Sequence, residues 1–231
     1  MISLLCPTRG RVKAVKFLLR SFLNTQKNDN QIIFYVQNDD PEKGRYEKLF
    51  KDMDHKDYVI GDWFPTTCMW NILASKASGN IFGLAADDVL IKTNHWDEII
   101  NQNASEYKDN VFLFGTNDGR SNNIGGYAHY FLHKDMYNFL GFFCPPWLNH
   151  RYIDALMPEL FDEVGRAKIL TDVLFSHRKY KFEGDEAWNN SRRRWTFNFD
   201  QINYASPFSE NWKKNQLVLL KKYMDSQYNK E

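Results

Sequence analysis

Short apolar runs that each end in a polar cluster, with helical stripes between them, limit what this chain can fold into more than any other feature. Ile2 to Cys6 is the first run, stopped by Pro7 and followed by Thr8-Arg9-Gly10-Arg11. Ile32 to Val36 ends in Gln37-Asn38-Asp39-Asp40-Pro41, and Ile81 to Ala85 leads into Asp87-Asp88. Apolar runs of this length bounded by turn formers read as buried strands, and Tyr58-Val59-Ile60 adds a short one. Between them Val12, Val15, Leu18, Leu19 and Phe22 recur at helical spacing, closed by Asn24-Thr25. Tyr46, Leu49, Phe50 and Met53 form a second stripe, and Trp70, Leu73, Ala74 and Ala77 a third that Gly79 ends. Strands alternating with helices predict an α/β fold, a Rossmann-like, mainly parallel sheet flanked by helices on both faces. Ligands of such sheets sit outside the carboxyl ends of the strands, so the three polar clusters are expected to meet on one rim.

The second half is less regular. His95 to Ile100 begins a helix, Val111 to Phe114 reads as a strand and Tyr127 to His133 as a β-like stretch. Cys144-Pro145-Pro146-Trp147 breaks the chain. Tyr152 to Val164 is predicted helical, with Ile153, Leu156, Leu160 and Val164 on one stripe and Gly165 as its stop. Ile169 to Phe175 is a late strand ending at Ser176-His177. From Lys179 to Asn203 the sequence is polar and aromatic with little period, which predicts a loop or flap. Trp212, Gln216, Leu219, Leu220, Tyr223 and Met224 suggest a terminal helix capped by Ser209. The expected organisation is a core over 1–177, with a nucleotide half of about 1–90 and an acceptor half of about 91–177, and then a carboxyl-terminal flap and helix over 178–231.

Composition excludes some classes. With 231 residues, 43% hydrophobic and 26% charged, the composition rules out wholesale disorder. Lys+Arg 30 against Asp+Glu 29 leaves +1, which argues against a histone-like or polybasic membrane binder. Cys6, Cys68 and Cys144 are scattered and odd in number, so a disulfide framework is not expected and a reducing cytoplasm is the default location. Met1 to Pro7 reads as a strand rather than a signal peptide, and no apolar window reaches the length of a membrane span.

Asp87-Asp88 at a strand end is the feature with most chemical content. Adjacent carboxylates repel unless a cation or an arginine lies between them. Hard divalent ions take such oxygens together with substrate phosphates. Taken alone, the pair is also explained by a turn. Thr8-Arg9-Gly10-Arg11, Asn38-Asp39-Asp40, Trp70-Asn71, Ala77-Ser78-Gly79, Asp87-Asp88 and Trp96-Asp97-Glu98, in that order, resemble a GT-A glycosyltransferase of the family 2 type, of the short kind found in phages and bacteria.

The resemblance covers roughly Ile2 to His177 and implies roles position by position. Pro7, Thr8, Arg9 and Arg11 match the first-strand loop against the nucleotide, and Asp39 the acid that bonds the base, usually uracil, which favours a UDP-sugar donor. Trp70 and Asn71 match the helix facing nucleotide and sugar, and Gly125-Gly126 the glycine loop near donor sugar and acceptor. Asp87 also lies against the donor in that comparison. Asp87 and Asp88, with His177, match the site of a divalent cation, Mn2+ or Mg2+, with the principal carboxylate left open because Ala85 or Ala86 takes the place of the first acid. Asp154 resembles the catalytic base, although Ile153 stands where a neighbouring glutamate is usual.

The implied reaction moves a sugar from a nucleotide-diphosphate donor to a hydroxyl acceptor, a glycan or a modified DNA base, in the cytoplasm of a cell or of a phage host. A diphosphate leaves when its developing charge is neutralised, and the acceptor hydroxyl needs a carboxylate to take its proton. Trp147 and the Arg192-Arg193-Arg194-Trp195 strip are candidate acceptor contacts, since arginines beside tryptophans grip phosphates and stack on bases. Two other readings stand beside this one: a nucleotidyltransferase, whose first loop is normally richer in glycine and lysine, and a nucleic-acid- or carbohydrate-binding module without turnover. Oligomeric state is not legible.

Overall fold

The computed structural model describes residues 1–119, 126–177 and 191–228, the last from 191 to 197 as backbone only. In chain order the elements are β1 (Ile2–Thr8), α1 (Val12–Thr25), β2 (Gln31–Gln37), α2 (Lys43–Asp52), β3 (Tyr58–Gly61), α3 (Thr66–Lys76), β4 (Ile81–Leu84), β5 (Val89–Ile91), α4 (Trp96–Ala104), β6 (Leu113–Asn117), β7 (Gly126–His133), α5 (Lys134–Leu140), α6 (Ile153–Asp162), β8 (Ala167–His177), α7 (Ser191–Tyr204) and α8 (Pro207–Tyr228).

The strands form one sheet in the order β3-β2-β1-β4-β7-β6-β8-β5. β3, β2, β1 and β4 are mutually parallel, β7 runs against both β4 and β6, β8 is parallel to β6, and β5 runs against β8. The carboxyl ends of β1, β2, β4 and β8 therefore lie on one edge. Strand order reverses between β1 and β4, where open α/β sheets form their ligand crevice.

Alternation along the strands builds two cores. Ile2, Leu4 and Cys6 of β1 and Ile32, Phe34 and Val36 of β2 face α1, α2 and α4, joined by Val15, Leu18, Phe50 and Trp96. Leu5, Ile33 and Phe82 point the other way, towards α3, α5, α6 and α8, joined by Leu73, Leu156, Phe161 and Leu220. The result is a three-layer sandwich in which each fully buried aliphatic or aromatic side chain contributes about 1.5–3 kcal/mol. Cys6 and Cys144 sit in these cores with thiols that burial pushes well up, and all three cysteines are free.

Four elements depart from the sequence expectation. β5 and α5 have no counterpart in it. The stretch expected as a flap to Asn203 contains the helix α7 over its last part. Ser209 does not cap α8: Ser206 does, its Oγ accepting from Ser209 N at 3.2 Å. Gly165 holds its predicted role, ending α6 at a φ of 66°. Among the described residues no helix is long and apolar enough to cross a membrane.

Candidate active site

β1 delivers a loop onto the rim, and Gly10 makes its shape possible. At a φ of 64° it turns its N–H to Asp40 Oδ2 at 2.9 Å. Asp40 is buried and also accepts from Glu42 N at 2.8 Å, so one carboxylate ties the loop after β1 to the loop after β2. Beside it, Arg9 pairs with Asp39 at 2.5 Å and also bonds Gln37.

Deeper in the rim, Asp87 is engaged through both oxygens. Thr8 Oγ1 donates to Oδ2 and Arg11 Nη1 to Oδ1, each at 2.8 Å. Arg11 Nη1 lies 3.6 Å from Asp88 Oδ2, so an arginine spans the two carboxylates. Tyr46 completes the network, its hydroxyl 2.9 Å from Thr8 Oγ1 and accepting Arg11 N–H at 2.7 Å. On the far side of Asp88, His177 Nε2 approaches Oδ1 to 3.3 Å. This approach follows from strand pairing, because Val89, next to Asp88, is registered opposite His177 between β5 and β8.

The two carboxylates differ in character. Burial lifts Asp87 above the ordinary carboxyl value; Arg11 and Thr8 oppose the shift, and Asp88 adds to it. Burial also pushes on Asp88, but the hydrogen bond and charge of His177, with Arg11, hold it below that value. Asp88 is thus the readily ionised acid, and Asp87 the one that fixes Arg11.

The remaining candidates fall into separate groups. Trp70 is buried, donates to Leu5 O at 3.0 Å and stacks on His150 at 6.3 Å between centroids. Asn71 spends its amide on the opposite loop, accepting from Phe143 N at 2.7 Å and Cys144 N at 2.9 Å and donating to Cys144 O at 2.8 Å. Its amide is used to clamp that loop. Pro7 pairs within the sheet against Tyr35, and Gly126 opens β7 opposite Thr116. Trp147 packs edge-on against Trp212 at 4.5 Å and against Phe208 and Phe142, a half-buried aromatic cluster rather than an open platform. Asp154 is exposed in the first turn of α6. α6 leads into β8, whose carboxyl end is on the rim, so the start of α6 lies at that same edge. Gly125 and the side chains of Arg192, Arg193, Arg194 and Trp195 lie outside the described residues.

Sequence reading alone missed Tyr46, and it put Asp40 on the rim without the loop-tying role seen here. Tyr46 was legible only as a helical stripe residue, yet a buried phenol needs a polar partner, and that requirement was the available signal.

No protein-family model and no curated protein matches this sequence, whereas the fold has clear likenesses. S. aureus TarS 1–349 in complex with UDP superposes with a TM-score of 0.60 at 11% identity, over 94% of this chain and 69% of that one. The same protein with UDP-GlcNAc gives 0.57 at 11% identity, over 79% and 60%. The mannosyltransferase PcManGT from Pyrobaculum calidifontis, in complex with GDP-Man and Mn2+, gives 0.59 at 10% identity, over 100% and 88%. The fold is that of the GT-A glycosyltransferases.

The donor set can be tested against a divalent ion. Asp88 and His177 converge as one carboxylate and one imidazole, donors that a divalent cation can take together. Among the described residues no group of three His, Cys, Asp or Glu converges. A protein contribution of two ligands fits an ion that shares substrate phosphates and water. Asp87, also expected with the metal, accepts from Thr8 and Arg11.

Proposed function

We propose that this chain is a nucleotide-sugar-dependent glycosyltransferase that moves a sugar from a nucleotide diphosphate, UDP by preference, to a hydroxyl acceptor. The observation that carries the reading is Arg11, held between Asp87 and Asp88 at the strand-order reversal, with His177 on the outer oxygen of Asp88. The cationic side chain after β1 suits a diphosphate, and the acid beside it after β4 suits a divalent cation that would share the phosphate oxygens. The donor complexes of the fold neighbours, with UDP, UDP-GlcNAc and GDP-Man, support the same class of ligand.

In this reading residues 1–90 hold the donor and 91–177 the acceptor. Arg9 and Asp39 flank the base and ribose, and Arg11 faces the diphosphate, where its fixed guanidinium offsets charge on the leaving group. Asp88 and His177 would hold a divalent cation, which when bound supplies further positive charge to that diphosphate. Asp154 accepts the proton of the acceptor hydroxyl as its oxygen bonds the anomeric carbon and the sugar–phosphate bond breaks, its electron pair leaving with the diphosphate. A single displacement of this kind inverts the anomeric centre. The acceptor is a glycan or an exposed modified base.

A thermal-shift series with UDP, GDP and ADP, each with and without Mn2+, tests the proposal. UDP is expected to raise Tm with concentration, by an amount equivalent to about 2.7 kcal/mol at a hundredfold excess over Kd, and more so with Mn2+. No response to any nucleotide would reject it in favour of a binding module.

A further inference from the structure

Asp200, on α7, is fully buried and accepts three consecutive backbone N–H groups: Asn149 at 2.6 Å, His150 at 2.9 Å and Arg151 at 2.8 Å. Charge-assisted bonds of this kind compensate a carboxylate removed from water, and three in a row fix the path of three successive peptide units. The same loop is gripped from the other side by α3, where Thr67 N donates to Asn149 O at 3.2 Å and Thr67 Oγ1 bonds Leu148 O.

The next residue, Tyr152, has a φ of 64°, a backbone conformation that bulky L residues seldom adopt. Its ring stacks on Tyr204 at 4.6 Å and 11°. Asp200 and Tyr204 are four positions apart on α7 and so share a face. Strained residues of this sort persist where surrounding structure over-determines them, and they gather at functional sites. α6 begins directly after Tyr152, and its first turn carries Asp154.

We propose that Asp200 is a positioning residue. By fixing the backbone of residues 149–151 it sets the entry into α6 and hence the location of the Asp154 carboxylate on the acceptor side. The inference rests on the reading of Asp154 as proton acceptor. It makes α7 a working part of the site, acting through backbone rather than by touching substrate.

A double-mutant cycle with Asp200→Asn and Asp154→Asn tests this on the whole chain. Asparagine leaves one accepting oxygen and turns an NH2 towards N–H donors. Asp200→Asn is expected to lower kcat at least tenfold, leave the Kd for UDP within twofold, and raise amide exchange at residues 149–151. In the Asp154→Asn background the same change is expected to cost almost nothing, because its effect travels through Asp154. Equal losses in both backgrounds, unchanged amide exchange, or a parallel loss of UDP binding would each overturn the proposal. If Asp200→Asn does not fold, Asp200→Glu, which keeps the charge and moves it by one methylene, is carried through the same cycle. A parent protein that binds UDP and transfers sugar while the cycle is additive rejects this inference alone; a parent without transfer rejects the functional reading beneath it as well.

Discussion

On the side of the rim proposed for the donor, side chains hold side chains: Thr8, Tyr46, Arg11 and Asp87 form one network, with Asp88 and His177 at its edge. On the side proposed for the acceptor, side chains hold backbone: Asn71 grips Phe143 and Cys144, Thr67 grips residues 148–149, and Asp200 grips residues 149–151. The first arrangement fixes charges, as suits a ligand of constant chemistry such as a diphosphate. The second fixes a loop path on which Phe143, Cys144 and Leu148 are buried while His150 and Arg151 stay exposed. A clamp on peptide groups holds its loop whatever side chains that loop displays, so the acceptor surface can vary without loss of the clamp.

The sharpest way to break this contrast is Asp88→Ala. Transfer is expected to fall about 100- to 1,000-fold, with Tm little changed because the acid lies at a strand end; steady-state kinetics beside a thermal melt decides it. Asn71→Ala should do the reverse. It strands two N–H groups and a carbonyl, and is expected to cost about 2–4 kcal/mol by urea denaturation with the Kd for UDP unchanged. A loss of nucleotide affinity in that variant would return Asn71 to the donor site.

The smallest effect lies outside both regions, at Asp97. It is fully buried, and burial would raise its pKa, but N–H groups of Lys27 and Asn28 and the side chains of Asn28 and Asn30 hold it below the ordinary value. A lowered native pKa gives stability that is present above the unfolded value of about 3.9 and lost as pH falls through the folded one. Asp97→Asn is therefore expected to be about 1–2 kcal/mol less stable at pH 7, with the gap closing below about pH 4. A gap independent of pH would remove the charge from the explanation.

What was legible in the sequence follows the same division. β1, β2 and β4 announce themselves because strands covered on both faces are continuously apolar, and polar residues then mark their ends. That pattern was enough to put Arg9, Arg11, Asp39, Asp87 and Asp88 on one rim. It did not reveal that Arg11 bridges the two aspartates, since a guanidinium and a metal answer the same repulsion. β5 is three residues long, too short for a period to register, and α7 begins in a basic stretch, with Phe199 and Ile202 exposed rather than in the core. Asp200 gave no local sign, because its partners lie about fifty positions away and are peptide groups, which carry no sequence signature.

The antiparallel pairing of β5 with β8 has a consequence of its own. It brings together two residues separated by much of the chain, and their closeness depends on one short ladder rather than on the segments between. Loops and helices from α4 to α6 can lengthen, shrink or change specificity, and the Asp88–His177 spacing survives so long as β8 returns in register. On the proposed reading the catalytic hardware and the recognition surface are thus separable by construction, and a chain built this way could acquire a new acceptor without rebuilding its donor chemistry.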